Sequence, residues 1–102
     1  MATNRGTTEA AKAYTTSATT IMEFDCPHTS KRGVVFFLFP STVGTATFSY
    51  IEPDGTARTM QTTACAANDL TTVTFNFPIS RVRLAYQGTS SGGTINAEGR
   101  GH

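Results

Sequence analysis

The chain predicts an all-β fold, an antiparallel β-sandwich of seven to eight strands, Ig-like or jelly-roll-like, with a flexible N-terminal arm. Three observations carry this. Six consecutive large apolar side chains run through GVVFFLFP, from Gly33 to Pro40. Threonine makes up about a fifth of the 102 residues, while leucine and lysine are rare, a composition that favours pleated, half-buried surfaces over helices. Short alternating segments recur about every 8–12 residues between clusters of glycine, proline, asparagine and serine.

The apolar ribbon is the centre of the fold. On a strand, Val34, Phe36 and Leu38 point one way and Val35, Phe37 and Phe39 the other. Both faces are apolar, so both are expected to be covered, in the middle of a packed sheet. Full burial of six such side chains would contribute on the order of 10 kcal/mol before chain entropy. Lys31, Arg32 and Pro40 flank the ribbon and guard an aggregation-prone window.

Residues 1–16 are read as the arm and 17–102 as a single sandwich domain. Residues 1–9 are polar; in the AAKAYTTS that follows, AAKAY could start a helix, but Thr-Thr-Ser argues for an extended edge segment. A strand is expected over Thr19–Phe24, with Ile21 toward the core, then a loop over Asp25–Arg32. After the ribbon, Ser41–Gly44 turns the chain. Thr45–Glu52 and Thr56–Thr63 form a hairpin about Glu52-Pro53-Asp54-Gly55, where proline presets φ and glycine supplies positive φ, as in a type I turn closed by a bulge. The expected register sets Tyr50 opposite Arg58 and Phe48 opposite Met60. Ala46, Phe48, Tyr50 and Met60 then share one face, and Thr47, Ser49, Thr59 and Gln61 the other. Ala64–Leu70 is a loop or one helical turn. Val73, Phe75 and Phe77 face inward along Thr71–Phe77, as do Val82, Leu84 and Tyr86 along Ser80–Gln87. A last short strand covers Thr94–Glu98, and Gly99–His102 has nothing to pack against.

The net charge is +1 and only 15% of residues are charged, so there is no electrostatic footprint for nucleic acid and no polybasic patch for a membrane surface. The N-terminus lacks an apolar signal core, and no apolar run approaches the roughly 20 residues of a spanning helix. The expectation is a protein made in a cytosol. Cys26 and Cys65 either pair across the sandwich or remain free thiols, the reading favoured for a cytosol-made chain.

Candidate chemistry is sparse. Gly88-Thr89-Ser90-Ser91-Gly92 matches the G-x-S-x-G nucleophile elbow, which works on a strand-to-helix turn with a later histidine. Here a strand is expected to follow, and the only later histidine is His102. Cys26 and His28 would need Cys65 and His102 to complete a zinc set. Glu23 and Asp25 lie about 7 Å apart on one strand face, without the cleft that a glycosidase pair requires. No enzyme activity, cofactor or metal is expected. Arg81 and Arg83 share an outward face, with Arg58 near them if the hairpin packs alongside. Together with Arg5, Lys12 and Tyr14 of the arm they are the candidate interface residues, since arginine forms planar bidentate pairs at protein contacts.

Three stretches taken together are similar to the small β-sandwich proteins of tailed-bacteriophage particles: GTATFSYIEPDGTARTM, the loop ACAANDL before TTVTFNFP, and ISRVRLAYQGTSSGGTINAEG. The resemblance spans Val34 to Gly99 and is one of strand and turn types. It implies a virion component without catalytic residues, above all a capsid decoration (cement) protein that stabilises the head. A neck or tail adaptor, or a fibre-base module, is the alternative within the group. The implied partners are further copies of the chain, in a homo-oligomer such as a trimer, and the major capsid protein or another virion protein, with no nucleic acid and no membrane. The implied location is the virion, after synthesis in the host cytoplasm. A carbohydrate-binding adhesin module is the alternative from another class. It would show exposed aromatic rings for stacking on sugars.

Overall fold

A computed structural model describes residues 6–25, 33–76, 80–90 and 93–101. Eight strands and no helix occur among them: β1 (Gly6–Tyr14), β2 (Thr19–Asp25), β3 (Val34–Pro40), β4 (Gly44–Ile51), β5 (Ala57–Cys65), β6 (Thr71–Phe75), β7 (Arg81–Gly88) and β8 (Gly93–Gly101). They form two four-stranded sheets, ordered β1-β8-β3-β6 and β2-β7-β4-β5. All neighbours are antiparallel.

The pairing is nested. β4 pairs with β5, β3 with β6, β2 with β7 and β1 with β8, so the chain is one long hairpin folded about residues 52–56. Wrapping that ribbon over itself adds the β3–β8 and β4–β7 pairs. This is the jelly-roll order, which decides between the two sandwich connectivities the sequence allows.

The hairpin at the centre of the ribbon follows from its turn residues. Gly55 N–H donates to the Glu52 carbonyl at 2.8 Å, Glu52 N–H to the Thr56 carbonyl at 2.9 Å, and Gly55 has φ +94°. Asp54 Oδ1 accepts from Thr56 N–H at 2.9 Å, and that bond draws its carboxyl below the usual range. Tyr50 faces Arg58 as expected, but a bulge follows, and Phe48 faces Gln61 with Met60 as the extra residue. Met60 and Tyr50 still pack against the core. Gln61 is moved to the Phe48 side of the ladder, contrary to the simple alternation.

The inner faces interdigitate as the alternation predicts. Val34, Phe36 and Leu38 are fully buried against Val82, Leu84 and Phe48 of the other layer's strands. The Phe48 ring spans the layers, with centroids 4.9 Å from Phe36 and 5.4 Å from Phe75. A bulge at Ile21 lets Ile21 and Met22 both turn inward.

Three expectations are corrected. The ribbon β3 is an interior strand, but only one of its faces is covered: Val35 and Phe37 are half-buried and Phe39 is 44% exposed. Among the described residues the two four-stranded layers leave no element for a third. Ala10–Tyr14 form an extended edge strand as expected, but Gly6–Glu9, expected within a mobile arm, belong to the same strand β1, because β8 extends to Gly101 and supplies its ladder. By the same pairing Gly99–Gly101 are strand and not an unpacked tail. Tyr14, expected at the surface, is 2% exposed and sits between the sheets. Residues 1–5, Cys26, His28, Phe77 and His102 lie outside the described residues. Cys65 is a buried free thiol whose pKa burial pushes up.

Candidate functional site

The outer faces of the two sheets differ in chemistry. On the β2-β7-β4-β5 sheet the ladder sets Glu23 opposite Arg83 and Asp25 opposite Arg81. Arg83 donates through Nε and Nη2 to Glu23 Oε2 at 2.9 and 2.8 Å. Arg81 bridges the two carboxylates, at 3.6 Å from Glu23 Oε1 and 3.3 Å from Asp25 Oδ1. Two arginines and two carboxylates close into a neutral, solvent-facing network. Each pair is worth about 0–1 kcal/mol there. The carboxylates read from sequence as a possible catalytic pair are thus arginine partners, and Ser49 is buried beside the network, opposite Arg83.

Arg58 does not join it. It stands opposite Tyr50, whose ring packs toward the core, whereas Arg83 stands opposite Ser49 on the other face. Arg58 pairs with Glu52 across the hairpin. Lys12 is exposed on β1, in the other sheet. Tyr14 is inside, and Arg5 lies outside the described residues. Of the five candidates among the described residues, the structure therefore brings together Arg81 and Arg83 alone.

Tyr14 is held by a polar node at one end of the sandwich. Thr42 N–H donates to its hydroxyl at 3.0 Å, Thr42 Oγ1 shares a short hydrogen bond with it, and Tyr86 O–H donates to the Thr42 carbonyl at 2.9 Å. The two tyrosine rings meet edge to face at 4.6 Å. Gly88 and Gly93 make room for the Tyr14 ring: a Cβ at Gly93 would lie 2.3 Å from the Tyr14 hydroxyl. The glycines of the G-x-S-x-G match thus begin at a packing position. The segment joins strand β7 to strand β8, not a strand to a helix.

The outer face of the β1-β8-β3-β6 sheet carries a smaller charge pair, Glu98 with Arg100 along β8, beside an apolar centre. Phe37 stands between Thr72 and Glu98, and Phe39 is opposite Asn96. Leu70, 59% exposed, precedes β6. Phe37, Phe39, Leu70, Asn96 and Glu98, with Thr8 and Glu9 of β1, line a shallow depression of about 410 Å³. Its far wall is shaped by a bulge in β1, where Ala11 has φ +51° and donates its N–H to Asn96 Oδ1 at 2.7 Å. Sequence reasoning missed this patch by treating the second apolar face of the ribbon as buried. The signal was length: a chain of 102 residues in eight strands cannot cover it. Among the described residues no group of three or more His, Cys, Asp or Glu side chains is placed to hold a metal ion.

Comparison with protein-family models, curated proteins and solved structures returns no match for this chain.

Proposed function

We propose that the chain is a structural protein of a tailed-phage particle, a capsid decoration protein that docks on the protein shell through the outer face of the β1-β8-β3-β6 sheet. The observation that carries this reading is the exposed apolar centre of that face, Phe39 and Leu70 around the Phe37 depression. Exposed apolar groups clustered within a polar rim are the mark of a protein contact. The jelly roll supports the reading by analogy, since viral capsid domains use it, but fold alone assigns no function.

The test is co-sedimentation of the purified chain with phage capsids that lack it. Saturable binding is expected, with Phe39→Glu weakening it about tenfold or more while circular dichroism stays that of a β-sandwich. A chain that stays in the supernatant, or a Phe39→Glu variant that binds equally well, overturns the proposal. The second reading is a carbohydrate-binding module, favoured by the Phe39 ring beside Asn96 and Thr8. Glycan-array binding lost in Phe39→Ala, with no capsid binding, would select it.

A further inference from the structure

Four edges bound the two sheets: β1 and β6 in one, β2 and β5 in the other. Three of them carry devices that stop a further strand from adding. β1 has a bulge at Ala10 and Ala11 with Glu9 and Lys12 beside it. β2 has a bulge at Ile21 with Glu23 and Asp25 beyond it. β5 has a bulge at Met60, with Arg58 before it. Bulges twist an edge out of register and charges repel an incoming copy.

The fourth edge has neither. β6 pairs with β3 through five residues in unbroken register, Val34 with Phe75 to Leu38 with Thr71. Its sequence, TTVTF, is uncharged and β-branched in four of five positions. Among the described residues its protection is its shortness alone.

We propose that β6 pairs antiparallel with β6 of a second copy of this chain, about a twofold axis at Val73, joining two β1-β8-β3-β6 sheets into one of eight strands. The register is self-consistent. Val73 is buried and Thr72 and Thr74 are exposed on the outer face. An axis at Val73 sets Thr72 opposite the second copy's Thr74, twice, so core-facing residues stay aligned with core-facing residues and outward threonines meet outward threonines. No charge is buried or opposed. The same operation on β2 would bring Glu23 and Asp25 of two copies together, and on β1 or β5 it would meet a bulge. In the joined sheet the Phe37–Phe39 patches of both copies lie on one side, doubling the face available for docking. The pairing names the edge used for self-association within the assembly reading, and it requires no particle.

The test uses the purified chain alone. Sedimentation velocity from about 1 to 500 µM should show a monomer–dimer equilibrium, since a contact this short belongs to the small, weak class. The double variant Thr72→Lys, Thr74→Lys sets lysine against lysine across the axis and should raise the dissociation constant about tenfold or more. Thr59→Lys on β5 should leave it unchanged. A chain monomeric at every concentration overturns the proposal, as does a dimer that survives the β6 lysines or is weakened equally by Thr59→Lys. Failure of capsid binding leaves this measurement untouched, so the two proposals fall separately.

Discussion

Replacing Tyr14 tests whether the N-terminal segment belongs to the fold. Its ring is 2% exposed, meets Tyr86 edge to face, and hydrogen-bonds Thr42 through its hydroxyl. Truncating a buried aromatic costs about 3–5 kcal/mol, and leaving Thr42 N–H without its acceptor adds about 1 kcal/mol. Tyr14→Ala should therefore lose about 4–6 kcal/mol, a large part of the roughly 5–15 kcal/mol available to a domain. With a urea slope of about 1.3 kcal/mol per molar for a small domain, the midpoint should fall by about 3–5 M. Tyr14→Phe keeps the ring contact and removes only the hydroxyl, so it should lose about 1–2 kcal/mol and about 1 M. The assay is equilibrium urea unfolding followed by circular dichroism, with the slope unchanged between variants. If Tyr14→Ala moves the midpoint by less than about 0.5 M, the residue behaves as an exposed arm position, and the placement of β1 in the sandwich is refuted.

Tyr86 makes stability depend on alkaline pH. Burial pushes its hydroxyl well above the ordinary value near 10. The folded chain then keeps a proton that the unfolded chain gives up, so this contribution is complete below pH 10 and is lost as pH rises beyond it. Above pH 10 the slope should be steeper than in Tyr86→Phe by up to about 1.4 kcal/mol per pH unit, the variant keeping only the smaller loss from the buried Cys65 thiol; equal slopes in denaturant titrations of the two proteins would contradict it. Gly44→Ala should be destabilising by about 1–3 kcal/mol, because the added Cβ would lie 2.4 Å from the Gln87 carbonyl oxygen and 2.6 Å from the Tyr86 ring, where a backbone atom cannot yield. Thermal unfolding checks it, and an unchanged midpoint would mean that the strands separate there at no cost.

What was legible in the sequence was local. The β4–β5 turn follows from Pro53, Asp54 and Gly55 because the conformation of each is set by its own covalent structure. The inward faces of β6 and β7 follow from period-two alternation. Bulges were not legible: nothing in FSYIE or RTMQT announces that Met60 is supernumerary, since a bulge is settled by which residues meet across the ladder. Tyr14 was misplaced for a related reason. AAKAYTTS has no alternation to read, and β1 exists because β8, 80 residues further on, offers it an edge. The candidate site was legible only as a list of charges. The ladder then showed that Arg81 and Arg83 already have carboxylate partners and that Arg58 looks the other way.

The two outer faces show why the apolar one is the better docking surface. On the β2-β7-β4-β5 sheet the charged groups satisfy one another across neighbouring strands, so a partner would have to break the Glu23–Arg83 pair before it gained anything. On the other sheet Glu98 pairs with Arg100 along β8, and β6 on the other side of β3 holds Thr72 and Thr74, which solubilise it while keeping its strand propensity. Threonine at 37 and 39 would serve β3 equally well, since neither ring is part of the core. Two phenylalanines there add little to folding and expose the chain to aggregation. A side chain of that kind is accounted for by contact with another surface. The jelly-roll order then fixes where such a surface must lie, across β8 and β3 and bounded by the bulged β1 on one side and the plain edge of β6 on the other.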